Sequence, residues 1–219
     1  MFRYLSIVIF VLSSYWVFKL FKKNDVSLIK TSKHFLNSLN KSWKDLCSFR
    51  SNNVFENLQS LRSFVLLITL LEFDIMVITG FAPIIFIGDN LTGIFLLIHV
   101  TIAPLIAVSF AVLVVLFAHS NRFNSSDVSI SVDEDEKKRI QLEDGALLKI
   151  NFWLISLFSL PAMLSIILGM FPLFGTEGQL VLLEIHKYSV LIITILVILH
   201  MGMFSVKLKS NNNEVIKEN

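Results

Sequence analysis

The apolar positions of this chain fall into long unbroken runs, joined by very short polar connections and by two longer polar stretches. Four runs, 64–87, 91–118, 150–174 and 181–206, exceed the length of about 20 residues that spans a bilayer's hydrocarbon core as a helix. A fifth run, 2–20, is shorter, with Arg3 in front and Lys19, Lys22 and Lys23 behind. No small-x-small cleavage pattern follows its apolar part, so it is expected to stay as a membrane anchor.

The stretch 26–46, "VSLIKTSKHFLNSLNKSWKDL", has a different period. Leu28, Phe35, Leu39, Trp43 and Leu46 recur at helical spacing on one face, and Lys30, Lys33, Lys41 and Lys44 gather on the other. That pattern predicts an amphipathic helix lying on the membrane surface, with His34 among its solvated lysines. The segment "SSDVSISVDEDEKKRIQLEDG" is polar and highly charged and predicts a solvated, mobile linker or a docking surface.

Charge placement orients the spans. The segment 21–62 holds eight basic and three acidic residues, and 120–149 contains Arg122, Lys137, Lys138, Arg139 and Lys149. Lys207 and Lys209 follow the last run, whereas the connections 88–90 and 172–180 have no lysine or arginine. The positive-inside tendency therefore places the two short loops outside and the remaining polar segments in the cytoplasm. The expected organisation is an anchor at 1–23, a basic amphipathic surface segment at 24–62, a four-span bundle at 63–206 with a cytoplasmic loop at 120–149, and a polar tail at 207–219.

Composition agrees: 54% of the 219 residues are hydrophobic and 16% charged, which marks a membrane protein. A formal net charge of +2 gives no case for nucleic-acid binding. The single cysteine, Cys47, excludes an intramolecular disulfide or a cysteine-rich metal site built by this chain alone, and reads as a structural thiol.

Candidate chemistry lies in the histidines. His186 and His200 are fourteen residues apart, about 40° short of four full turns, so they share a helix face about 21 Å apart along the axis. Polar side chains at membrane depth are costly and face a bundle interior or a cofactor. Two stacked b-type haems, one near each leaflet, require two such imidazoles on one helix and partners on its neighbours. His99 lies eight residues into the second long run and His186 five into the fourth, at matching depth from the outer side, so they are the strongest ligand pair for one haem. Gly80 and Gly93 lack side chains that would keep a porphyrin edge from the backbone there. For His200 the candidate partner is His119, which follows His99 by twenty residues, about 30 Å of straight helix, and points about 200° away from it. A kink at Pro104 recovers part of that mismatch, and His34 is a weaker substitute. Two histidines that only hydrogen-bond across a bundle are the alternative.

Three acids accompany them. Glu72 and Asp74 stand in the middle of the first long run and point about 200° apart, so one face cannot hold both. Either a proton route to a quinone or a buried structural hydrogen bond accounts for them. Glu184 and Lys187 flank His186: the lysine suits a haem propionate or snorkels to the outer surface, and Glu184 is a candidate acceptor for a quinol proton.

The motifs "ITGFAPIIF" and "LTGIFLLIH", followed by a last span with histidines fourteen apart, resemble the four-helix membrane di-haem cytochrome b family. That family includes the cytochrome subunits of formate dehydrogenases and nickel-iron hydrogenases and small bacterial cytochromes b. The resemblance covers about residues 62–205 and implies an all-α transmembrane haem-binding bundle in a bacterial inner (cytoplasmic) membrane. It implies that His99 and His186 ligate one haem b. The family's second haem uses the histidine matching His200 and a histidine on the first span; here "LRSFVLLITLLEFDIMVITGF" has none. Either His119 replaces it or the second haem is absent.

The expected function is electron transfer between a quinone pool and a partner redox subunit, with no bond-making chemistry of the chain's own. Two other classes remain: a haem-free anchor or assembly subunit whose histidines bond neighbouring helices, and a small proton-coupled transporter subunit using Glu72 and Asp74.

Overall fold

The computed structural model describes residues 2–26, 54–88, 91–132, 138–142, 144–171 and 173–218, together with Lys33, Asn37 and Lys44. Most of the expected surface helix 26–46, with His34, and Cys47 lie outside the described residues. The helices are α1 (Phe2–Lys23), α2 (Val54–Ala82), α3 (Gly93–Ala118), α4 (Asp144–Gly169) and α5 (Gly175–Glu218). Among the described residues five helical stretches are long and apolar enough to cross a membrane: Phe2–Lys23, Leu58–Ile87, Gly93–Ala118, Gly145–Gly169 and Gly175–Lys209. The expectation of an all-helical membrane architecture with an additional amino-terminal hydrophobic helix is met at that level.

The chain forms two compact units, Met1–Ile9 with Ser27–His119, and Phe10–Val26 with Ser120–Asn219. In the first, α2 packs on α3. Thr79 meets His99 and Glu72 meets Ser109, so residue numbers fall along α2 as they rise along α3, which makes the pair antiparallel. Between them α2 widens into a π-turn, Pro83–Ile87, whose first residue is a proline that needs no N–H partner there. The turn closes at Gly88, whose φ of 88° suits glycine and whose N–H donates to the Pro83 carbonyl at 3.0 Å. Arg3 of α1 donates from Nε to the Ile85 carbonyl at 3.0 Å, and Phe2 stacks on Phe81 with ring centroids 6.2 Å apart. The amino end of α1 thus stands beside the first short connection.

In the second unit α4 packs on α5. The carboxyl end of α1 is tied to α5 by Lys209 Nζ, which donates to the Asn24 carbonyl at 2.8 Å and to that of Asp25. Val17 closes on Gly202, where an added Cβ would stand 3.1 Å from a valine methyl. Large apolar side chains face outward, including Val115 at 76% exposure and Val108 at 67%, while Ser165 and Thr194 are each only 3% exposed. Water would reverse that arrangement; lipid permits it. The buried hydroxyls are satisfied inside their own helices, as Thr194 donates to the Val190 carbonyl at 2.8 Å and Thr69 to that of Val65 at 2.8 Å.

The helices overrun the apolar runs. α2 starts at Val54 rather than 64, and α5 spans Gly175 to Glu218 where its apolar run is 181–206. Hydropathy marks the part of a helix at bilayer depth, whereas backbone hydrogen bonding continues through Gln59, Ser60 and Arg62, all compatible with a helix. The segment expected as a mobile linker contains structure as well. β1 (Val128–Val132) and β2 (Lys138–Leu142) pair antiparallel, with Val128 opposite Leu142 and Ile130 opposite Ile140. Apolar positions alternate in "VSISV" as strands require, and the acidic run "DEDE" beside it outweighs them in any average over the segment. Asp127 anchors this hairpin. It accepts the Asn124 N–H at 2.6 Å and Lys149 Nζ at 2.8 and 2.9 Å.

Candidate functional site

His99 belongs to the first unit and His186 and His200 to the second. Each of the first two is held by an oxygen from the neighbouring helix of its own unit. Thr79, buried on α2, has its Oγ1 2.7 Å from the Ile75 carbonyl and 3.0 Å from His99 Nδ1. The hydroxyl proton goes to that carbonyl, so the contact with His99 is a donation from Nδ1–H to the threonine oxygen. His186 Nδ1 lies 2.8 Å from the Ala162 carbonyl of α4, one residue past Pro161, and a carbonyl can only accept. In both rings Nδ1 is the nitrogen that faces the neighbouring oxygen.

A Cβ at Gly80 would stand 3.2 Å from His99 Cε1 and 3.7 Å from Nδ1, so this glycine makes room for the His99 ring beside Thr79. Gly93 opens α3 with a φ of 59° and has nothing within 4 Å of the position of a Cβ.

His200 lies on α5 fourteen residues after His186, and its Nδ1 is buried without a hydrogen-bond partner among the described residues. His119 forms the C-cap of α3 and is exposed. The intramembrane acids separate as their spacing predicted. Glu72 takes a hydrogen bond from Ser109 of α3, while Asp74 is exposed. Glu184 and Lys187, assigned separate roles above, pair with each other at 2.9 Å across one turn of α5. Glu184 also lines an open groove of about 500 Å³ along one face of that helix with Glu177, Val181, Ile185 and Tyr188.

Thr79, Ser109 and the Ala162 carbonyl are the contacts that composition and spacing did not single out. A threonine and a serine in an apolar run are ordinary helix residues, and a main-chain carbonyl has no sequence signal. Among the described residues no three histidine, cysteine, aspartate or glutamate side chains converge as a metal site. A haem iron asks for less, since the porphyrin supplies four nitrogens and the protein one or two axial ones. The residues fit that demand: two histidines have Nδ1 within hydrogen-bond distance of an oxygen of a neighbouring helix, so Nε2 is the nitrogen that would meet an iron, and the third has a buried Nδ1 on the same helix as the second.

Fold and side chains define a class, a helical protein with five helices long and apolar enough to cross a membrane, two of whose histidines meet an oxygen of a neighbouring helix. Compared with family models, curated proteins and solved structures, the chain matches none.

Proposed function

We propose that this chain is a membrane cytochrome b subunit, resident in a bacterial inner membrane, that passes electrons between a quinone pool and a partner redox subunit. The observation that carries the proposal is the shared contact of His99 and His186, whose Nδ1 atoms lie 3.0 Å from Thr79 Oγ1 and 2.8 Å from the Ala162 carbonyl, each an oxygen of an adjacent helix. That second contact orients an imidazole and raises its basicity as a metal ligand. A histidine serving only to bond two helices needs no such uniformity.

In this proposal His99 and His186 are axial ligands of one haem b, paired by their depth along the sequence and by the family resemblance. His200 holds a second haem, with His119 as its candidate partner. The haem supplies one-electron transfer when bound. The chain's own residues do the rest: Thr79 and the Ala162 carbonyl each orient one ring within its own unit, and the outward-facing apolar side chains keep water away. Glu72, engaged by Ser109, ties α2 to α3, which leaves Asp74 and Glu184 as the candidate proton carriers for quinone chemistry. Lys187, paired with Glu184, exchanges that partner for a haem propionate in this proposal.

A reduced-minus-oxidised absorbance spectrum of the purified protein tests the proposal. A cytochrome gives b-type bands, and a pyridine haemochrome assay gives one or two equivalents per chain. Protein purified from a haem-sufficient host without those bands is an anchor or a transporter subunit, and the proposal fails.

A further inference from the structure

We infer that Asn151 orients His200, its side-chain oxygen accepting the Nδ1 proton of that histidine through one buried water. Its importance for haem ligation rests on the function proposed above, whereas the hydrogen bond itself does not.

Asn151 Oδ1 and His200 Nδ1 are both buried and both without a partner among the described residues of their unit. Asn151 is 5% exposed, and buried polar atoms are nearly always hydrogen-bonded to protein or to an ordered water. Its Nδ2 donates to the Leu196 carbonyl of α5 at 2.9 Å. A carbonyl accepts only, so the amide cannot be turned over, and Oδ1 is the atom left to accept.

Leu196 and His200 are four residues apart on one helix, about 40° from each other around it. Helical side chains lean back toward the amino terminus and cover the turn before their own Cα. The His200 ring therefore lies along the turn whose carbonyl Asn151 grips. A buried acceptor and a buried ring nitrogen share that turn without touching. A single water closes the gap, accepting from His200 Nδ1–H and donating to Asn151 Oδ1. His200 then has the same protonation as His99 and His186, each of which gives its Nδ1 proton to an oxygen of a neighbouring helix. Asn151 is a positioning residue in this account and touches no cofactor.

The test is nuclear magnetic resonance of the full chain in detergent with 15N-labelled histidine, in the reduced state so that any haem is diamagnetic. The His200 signals are identified by their loss in His200→Gln. The wild type is expected to show a proton on His200 Nδ1, shifted downfield, with cross-relaxation to a long-lived water that also reaches the Asn151 side-chain amide. Asn151→Leu, nearly the same in volume, should move that proton upfield, abolish the water cross peak and change its exchange rate with solvent about fivefold, the factor one net hydrogen bond is worth. A His200 protonated on Nε2, or an Nδ1 proton unaltered in Asn151→Leu, overturns the inference. If Asn151→Leu does not fold, the wild-type water cross peaks decide alone, and their absence overturns it. Haem content of the same samples is read separately. The hydrogen bond without haem sinks only the cytochrome proposal, and haem without the hydrogen bond sinks only this inference.

Discussion

At His99 and His186 a neighbouring oxygen decides which ring nitrogen is available to a metal, and the test of that role is local. In the cytochrome proposal replacing either with alanine removes an axial bond, so both variants should lose the same haem, read as one equivalent fewer per chain by pyridine haemochrome. His200→Ala should remove a different haem and spare the first. Thr79→Val keeps the shape of the side chain and deletes the acceptor for His99 Nδ1. Loss of such a second contact costs about tenfold or more in metal affinity, so this variant should shed haem faster during detergent washing while Thr69→Val, on the same helix, does not. Equal retention in the two variants would remove Thr79 from the site.

At the scale of elements, two polar ties can be tested independently of haem. Asp127 fastens the β-hairpin, and the Asn124 N–H, with Lys149 behind it, holds its carboxyl below the usual carboxylate range. A lowered folded value means that the contact stabilises the hairpin at all pH above the unfolded carboxylate value of about 3.9 and is lost as the pH falls through the folded value. Amide exchange in the strand pair Val128–Leu142, corrected for its intrinsic pH dependence, should rise in that acid range in the wild type. In Asp127→Asn it should already be severalfold higher at neutral pH and flat with acid. The second tie is Glu72 to Ser109. Glu72→Gln retains an acceptor for the serine hydroxyl and should keep helix pairing and quinone-linked turnover within about twofold, whereas Asp74→Asn should slow turnover with haem content unchanged. Equal turnover in both variants would take the acids out of proton transfer.

For the whole molecule the checkable quantity is orientation. Thr176 and Ser125 are both exposed, one before the last span and one in the segment between α3 and α4. In spheroplasts a cysteine at Thr176 should react with an impermeant thiol reagent, and one at Ser125 should react only after the membrane is opened, both in a Cys47→Ser background. The reverse labelling would invert every depth assignment made for the histidines. The sequence by itself determined the apolar runs that form five helices long enough to cross a membrane, and the places of His99, His186 and His200 within them. Lipid solvation acts on each helix separately and leaves its mark in unbroken apolar runs and basic flanks. It also separated Glu72 from Asp74, because residues two apart on a helix point about 200° away from each other. The partners had to come from the tertiary structure: Thr79 for His99, the Ala162 carbonyl for His186, Ser109 for Glu72, and Glu184 and Lys187 for each other. A hydrogen bond between helices depends on their rotation and offset to a few ångström, and many sequences with the same hydropathy would set those differently. The hairpin at Val128–Leu142 was hidden for a related reason, since two five-residue strands gain their order from pairing with each other and from the Asp127 anchor, not from either strand's own composition.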